Sequence, residues 1–156
     1  MPDVMTKAQR SACMSRIRGS NTGPERSMFR LLRREGVYFA RHAREIPGRP
    51  DIVFRRCRLA VFIDGEFWHG HRISEWRHKL SGFWREKIEG NRRRDRKVDR
   101  ALRARGWSVL HLWAERVESD PEQCLRRVLR VKQHRIEKPR PAHRRTVTRI
   151  RRHARS

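Results

Sequence analysis

Residues 47–64 read PGRPDIVFRRCRLAVFID, and the fold of the chain turns on them. LAVFID (59–64) is apolar at both odd and even positions, as a strand buried on both faces would be. DIVF (51–54) precedes it, and the intervening RRCR (55–58) is too short for a crossover, so the two segments pair as an antiparallel hairpin. Asp51 opens the first strand and Asp64 closes the second. Both carboxylates therefore come to one end of the hairpin, with the face that each occupies left open by the sequence.

Working outward, VYFAR (37–41) reads as a strand before the hairpin and WSVLHLW (107–113) as a buried strand after it. A helix over 24–35 carries Met28, Phe29, Leu31 and Leu32 on its apolar side, with Thr22 and Glu25 as a capping box and Gly36 as its stop. A long helix is expected over 83–105, ended by Gly106, and a last one over 120–129, with Asp120 as cap and Pro121 in the first turn. The order helix, three strands, helix, strand, helix predicts an α/β domain: a mixed sheet flanked by helices. Its bounds are residues 23–131, after a basic arm or short helix within 1–22. From Lys132 the chain carries ten Lys or Arg against one acid, without periodicity, and 132–156 reads as a disordered basic tail.

Lys and Arg number 41 against 17 Asp and Glu, a formal charge of +24, which points to a polyanionic partner. Arg outnumbers Lys heavily, and its planar guanidinium suits bidentate phosphate contacts and stacking on bases. No apolar run is long enough for a membrane span or a signal peptide, so a cytoplasmic, nucleoid-associated protein without membrane contact is expected. Cys13, Cys57 and Cys124 are odd in number and form no C-x-x-C pair, which argues against a disulfide framework.

Two carboxylates at adjacent strand ends repel unless a cation lies between them, and a hard, oxygen-seeking ion such as Mg²⁺ would resolve the conflict and could activate water beside a phosphodiester. Alternatively, Asp51 is a turn residue and Asp64 a loop cap. On the long helix Trp84, Ile88, Asn91, Asp95, Val98 and Leu102 share one face, while Arg92 and Arg93 lie on its flanks. A carboxylate on that face, Asp95, needs an arginine, histidine or metal as partner. Glu25 turns toward the apolar side of its own helix, where it can serve the cap, the site or both. His69, in the loop FWHGH (67–71) after Asp64, is the candidate general base, and Phe67 and Trp68 are candidate wedges between base steps.

The runs PGRPDIVF, VFIDGEFWHGH and FWREKIEGNRRRDRKVDRALRARGWSVLHLW, with the opening KAQRSACMSRIRGSNTGPE, resemble the very-short-patch-repair (Vsr-type) endonucleases over roughly residues 3–130. The resemblance implies a restriction-endonuclease-like fold of the PD-(D/E)xK superfamily and a Mg²⁺-dependent nickase that cuts 5′ of the T in a T:G mismatch. It implies Asp51 as principal metal ligand beside the Ile63 carbonyl; Asp64 departs from it, standing where some members carry a histidine, and as the acidic strand end of the wider nuclease superfamily it is a further candidate ligand. His69 would be the base, with Glu25 and Asp95 in support. Phe67, Trp68 and Trp84 match the family's mismatch-reading aromatics, and Met14 a residue entering from the minor groove. Many family members hold a structural Zn²⁺ through cysteines and a histidine; here Glu66, Ile73 and about Glu115 stand at the cysteine positions, leaving His71, so the soft ligands are missing. The expected partner is double-stranded DNA with a mismatch, mismatch-repair proteins are a further candidate, and a monomer suffices. The rival readings are a nuclease of the same superfamily without mismatch preference, and a catalytically inactive DNA-binding module.

Overall fold

A computed structural model describes residues 20–65, 78 and 81–138. Met14, Glu66, Phe67, Trp68, His69, His71, Ile73 and the tail beyond Lys138 lie outside the described residues.

The hairpin forms as read. Ile52–Phe54 (here β2) and Leu59–Asp64 (β3) are antiparallel, with Ile52 opposite Val61 and Phe54 opposite Leu59. Of the segment VYFAR only Ala40–Arg41 (β1) joins the sheet, antiparallel to β2. On the other side Ser108–Trp113 (β4) pairs with β3 in parallel, from Leu59 opposite Ser108 to Asp64 opposite Trp113. A parallel neighbour requires a crossover, and the helix Gly82–Ala104 lies between the two strands in sequence to provide it. The four-stranded mixed sheet has the order β1-β2-β3-β4.

The double-sided apolarity of the hairpin has a direct cause, since helices cover both faces. One face presents Ile52, Phe54, Leu59, Val61, Leu110 and Leu112 to three helices. These are Gly23–Arg34 (α1), a six-residue helix Ala114–Ser119 that the sequence pattern did not suggest (α3), and Pro121–Glu137 (α4). The other face presents Val53 and Ala60, with Ala43 and Ile46, to Leu102 and Val98 of the crossover helix Gly82–Ala104 (α2). Leu102 is wholly buried, so truncation to Ala would cost about 2–5 kcal/mol. Gly48 fits beneath α2 only because it lacks a side chain. Its φ is +79°, and a Cβ there would lie 2.5 Å from Val98 Cγ1.

The expected caps are in place. Thr22 accepts from the Glu25 N–H at 3.5 Å, and Asp120 accepts from the Gln123 N–H at 3.0 Å. Gly36 and Gly106 follow α1 and α2 with φ of +66° and +80°.

One boundary differs. The last helix was expected to stop at Leu129 with the tail starting at Lys132, whereas α4 continues to Glu137. Its inward stripe of Cys124, Val128 and half-buried Val131 extends to Arg135, which is buried. Arg135 donates from Nε to the Cys57 carbonyl at 3.1 Å and from Nη2 to the Gly106 carbonyl at 2.9 Å. A residue read as tail charge thus satisfies two carbonyls at the turn end of the sheet. Cys57 and Cys124 are buried free thiols.

Candidate active site

The end of the sheet opposite that turn carries two groups, each a histidine between two carboxylates. Asp51 stands immediately before β2, and its Oδ2 accepts from the Ile63 N–H at 2.7 Å. The neighbouring strand thereby fixes the orientation of the carboxylate. The Asp51 carbonyl accepts from the N–H of His42, which follows β1 in the left-handed region at φ +46°. That backbone turn brings the imidazole inward, with Nδ1 3.6 Å from Asp51 Oδ1 and Nε2 3.3 Å from Glu25 Oε2.

Glu25 is 3% exposed, delivered by the inward stripe of α1 that also buries Met28, Phe29 and Leu32. Its Oε2 accepts from the Asn21 N–H at 2.7 Å and its Oε1 from the Thr22 hydroxyl at 3.0 Å. One carboxylate thus closes the cap and lies beside His42.

One ligand atom from each of Glu25, His42 and Asp51 lies within 4.8 Å of the others. His42 Nε2 is buried and lies 3.3 Å from the Glu25 carboxylate without a well-aligned hydrogen bond to it. Two carboxylates and one imidazole with this spacing fit a divalent cation. The oxygen-rich set suits Mg²⁺, which would keep waters in its remaining positions.

Asp64 has different neighbours. It ends β3 with its side chain on His111 of the parallel strand, Oδ2 to Nδ1 2.5 Å. The other imidazole nitrogen is 3.0 Å from Asp99 Oδ1 on α2, and Asp99 in turn pairs with Arg103 at 3.4 Å. Phe62 stacks on the imidazole, with centroids 5.1 Å apart and planes at 14°. Burial works to lower the His111 pKa, but Asp64 and then Asp99 outweigh it and push it up to about 9. The imidazole is therefore charged at neutral pH, and its single positive charge is shared between the two carboxylates. Both of its nitrogens are occupied, so this group has no convergent vacant donor. Among the described residues the group with metal-ligand spacing contains Asp51 and Glu25 but neither Asp64 nor Asp95.

Asp95 is half-buried on α2, as is Trp84 at the start of that helix. The Trp84 ring meets the 54%-exposed Phe83 edge-on, with centroids 5.2 Å apart. Arg92 and Arg93 are exposed on the flank of α2, beside Arg94 and Arg96. Glu115 is exposed on the first turn of α3. Three residues of this end escaped the reading of the sequence: His42, Asp99 and His111. His111 left a signal, as a polar residue inside an otherwise apolar strand, and Asp99 lies one turn beyond Asp95. His42 left none, since its role depends on a left-handed backbone that places it against residues from two other elements.

A family model described as DNA mismatch endonuclease Vsr matches residues 2–75. A type II nicking enzyme, V.XorIIP, of Xanthomonas oryzae pv. oryzae is 41% identical over 115 residues, covering 72% of this chain and 85% of that protein. The chain belongs to the Vsr family of DNA endonucleases. The DNA mismatch endonuclease Vsr of Escherichia coli is 37% identical, over 72% of this chain and 74% of its own length. The type II nicking enzyme V.NmeDIP of Neisseria meningitidis is 35% identical, over 81% and 87%. The mixed sheet flanked by helices agrees with the restriction-endonuclease-like fold of the family. Membership makes the chain an endonuclease, and DNA is the polyanion that its charge anticipates. No helix among the described residues is long and apolar enough to cross a membrane.

Proposed function

We propose that this endonuclease nicks one strand of duplex DNA on the 5′ side of a T opposite G, in a Mg²⁺-dependent hydrolysis, and so begins the repair of deaminated 5-methylcytosine. The convergence of Glu25, His42 and Asp51 on one point carries the metal-dependent part of this reading. The motif resemblance carries the mismatch part.

Glu25, His42 and Asp51 would hold the cation, which would supply a Lewis acid for the scissile phosphate and lower the pKa of a water molecule. Asp51 is held for this task by the Ile63 N–H, and Glu25 by its own helix cap. His69 takes the proton of the water that attacks in line with the leaving 3′ oxygen, and Asp95 supports the site from α2. Asp64, engaged by His111, holds the end of β3 in position, so that the Ile63 N–H stays on Asp51.

Phe67, Trp68 and Trp84 wedge between base steps, with Met14 entering from the other groove. Selectivity follows because a mismatched step costs less to unstack than a paired one. Arg92 and Arg93 contribute backbone contacts. The protein acts as a monomer in the cytoplasm, on the nucleoid, with no structural Zn²⁺.

The test is Mg²⁺-dependent nicking of a duplex containing one T:G pair, compared with its fully paired control and scored strand by strand. Cutting 5′ of the T in the mismatched duplex alone supports the proposal. Equal cutting of both duplexes replaces it with a nuclease lacking mismatch preference, and metal-independent binding without cutting refutes it.

A further inference from the structure

The helix that delivers Glu25 to the site turns a second stripe outward. Arg26, Arg30 and Arg33 recur at spacings of four and three, about 100° around the helix from the buried stripe of Glu25, Phe29 and Leu32. With Arg41 of β1 they surround a concavity of about 470 Å³ whose floor includes Phe29. Four cations around one hollow repel one another, and none of the four has a carboxylate within ion-pair distance among the described residues. Arginines elsewhere in the protein do find acids: Arg34 pairs with Glu122, Arg55 with Glu45 and Arg103 with Asp99.

This hollow is also partly preorganised. The Arg41 guanidinium carbon lies 5.5 Å from the Phe29 ring centroid, a cation–π placement, and Arg26 Nη1 donates to the Asn21 carbonyl at 2.6 Å. Phe29 is a shared wall. It also meets the His42 imidazole edge-on, with centroids 5.8 Å apart, so one side chain touches both the hollow and the group around Asp51.

We propose that the hollow lined by Arg26, Arg30, Arg33 and Arg41 binds the DNA backbone phosphates that flank the scissile phosphate on the strand being cut. It rests on the reading of Glu25, His42 and Asp51 as the cutting centre. A polyanionic strand crossing that centre meets the adjoining cations within the next nucleotides, and guanidinium forks match phosphate oxygens in pairs. The contact carries no base information; it sets the register of the strand, so that the scissile phosphate stops over Asp51.

The experiment is a scan of a T:G duplex in which single phosphates are replaced by neutral methylphosphonates. Binding and nicking by the full chain are compared with those of Arg30→Gln/Arg33→Gln. In the wild type, neutralising the phosphates next to the nick should weaken binding; in the variant those same replacements should cost nothing further, while replacements elsewhere keep their effect. Losing two phosphate contacts at about 0.9 each lowers the salt slope by about 1.8, so a fourfold rise in salt should weaken wild-type binding about tenfold more than variant binding.

Arg26→Gln/Arg41→Gln, on the other walls of the hollow, should reproduce the pattern if the first variant folds poorly. Arg127→Gln/Arg130→Gln, on exposed positions of α4, should leave the scan as in the wild type. Identical scans for wild type and hollow variants overturn the proposal, as does a pattern in which the insensitive phosphates lie away from the nick. The wild type alone reports whether cutting depends on metal and where it falls, so a failure of the cutting-centre reading appears separately.

Discussion

Two histidines at the same end of the sheet sit between carboxylates, yet the two arrangements can do different things. Around His42, the atoms of Glu25 and Asp51 converge and the imidazole Nε2 is left without a hydrogen bond. Around His111, Asp64 and Asp99 approach opposite nitrogens, so the ring is spent as a bridge between β3, β4 and α2. Three groups whose ligand atoms lie within 4.8 Å of one another have the spacing of a cation site. Three groups in a row make a brace. Residue type does not separate the two cases, and carboxylates lie at both nitrogens of each ring; what separates them is that ligand atoms of Glu25, His42 and Asp51 all come within 4.8 Å of one another, whereas Asp64 and Asp99 hold His111 at closer hydrogen-bond distances.

The comparison breaks first at Asp51. Asp51→Ala should lower the nicking rate about a thousandfold while leaving DNA binding intact, because a metal's contribution of several kcal/mol is lost at about 1.36 kcal/mol per tenfold. Single-turnover nicking with a parallel binding titration checks this, and a loss of only a few-fold would move the cutting centre elsewhere. His42→Asn, which tolerates the left-handed backbone at φ +46°, should reduce nicking about 10–100-fold with little change in melting temperature.

The brace should respond in the opposite way. His111→Gln removes a cation from between two carboxylates and should destabilise the fold by about 1–3 kcal/mol, read from denaturant unfolding. If His111→Gln left stability unchanged but abolished cutting, the roles assigned to the two histidines would be wrong.

A smaller effect sharpens the same contrast through pH. The His111 pKa is raised from 6.5 to about 9 on folding, so its stabilising contribution is complete below about 6.5 and is lost as pH rises through about 9. The melting temperature should therefore fall across that window in the wild type, and the His111-dependent part of the fall should vanish in His111→Gln. A fall of equal size in the variant would assign it to other groups.

How far the sequence revealed this arrangement follows from the range of each interaction. The hairpin, the crossover helix, the caps at Thr22 and Asp120 and the placing of Asp51 and Asp64 at one end depend on periodicity and short connections, which a sequence displays. What it hid was lateral. Whether Asp64 would face Asp51 or β4 depends on the pleat register, and the structure turns it to His111, a residue 47 positions away. His42 joins Glu25 and Asp51 through one positive φ, for which a histidine gives no warning. Arg135 looked like solvated charge because its partners are backbone carbonyls at Cys57 and Gly106, and carbonyls carry no residue signature.

We propose that the divalent ion belongs to Glu25, His42 and Asp51 rather than to Asp64. Mn²⁺ standing in for Mg²⁺ tests it most directly, with free ion followed by its paramagnetic resonance signal as the full chain is titrated. Asp51→Asn should lose binding while Asp64→Asn binds as the wild type does. Retained binding in Asp51→Asn together with loss in Asp64→Asn would contradict it.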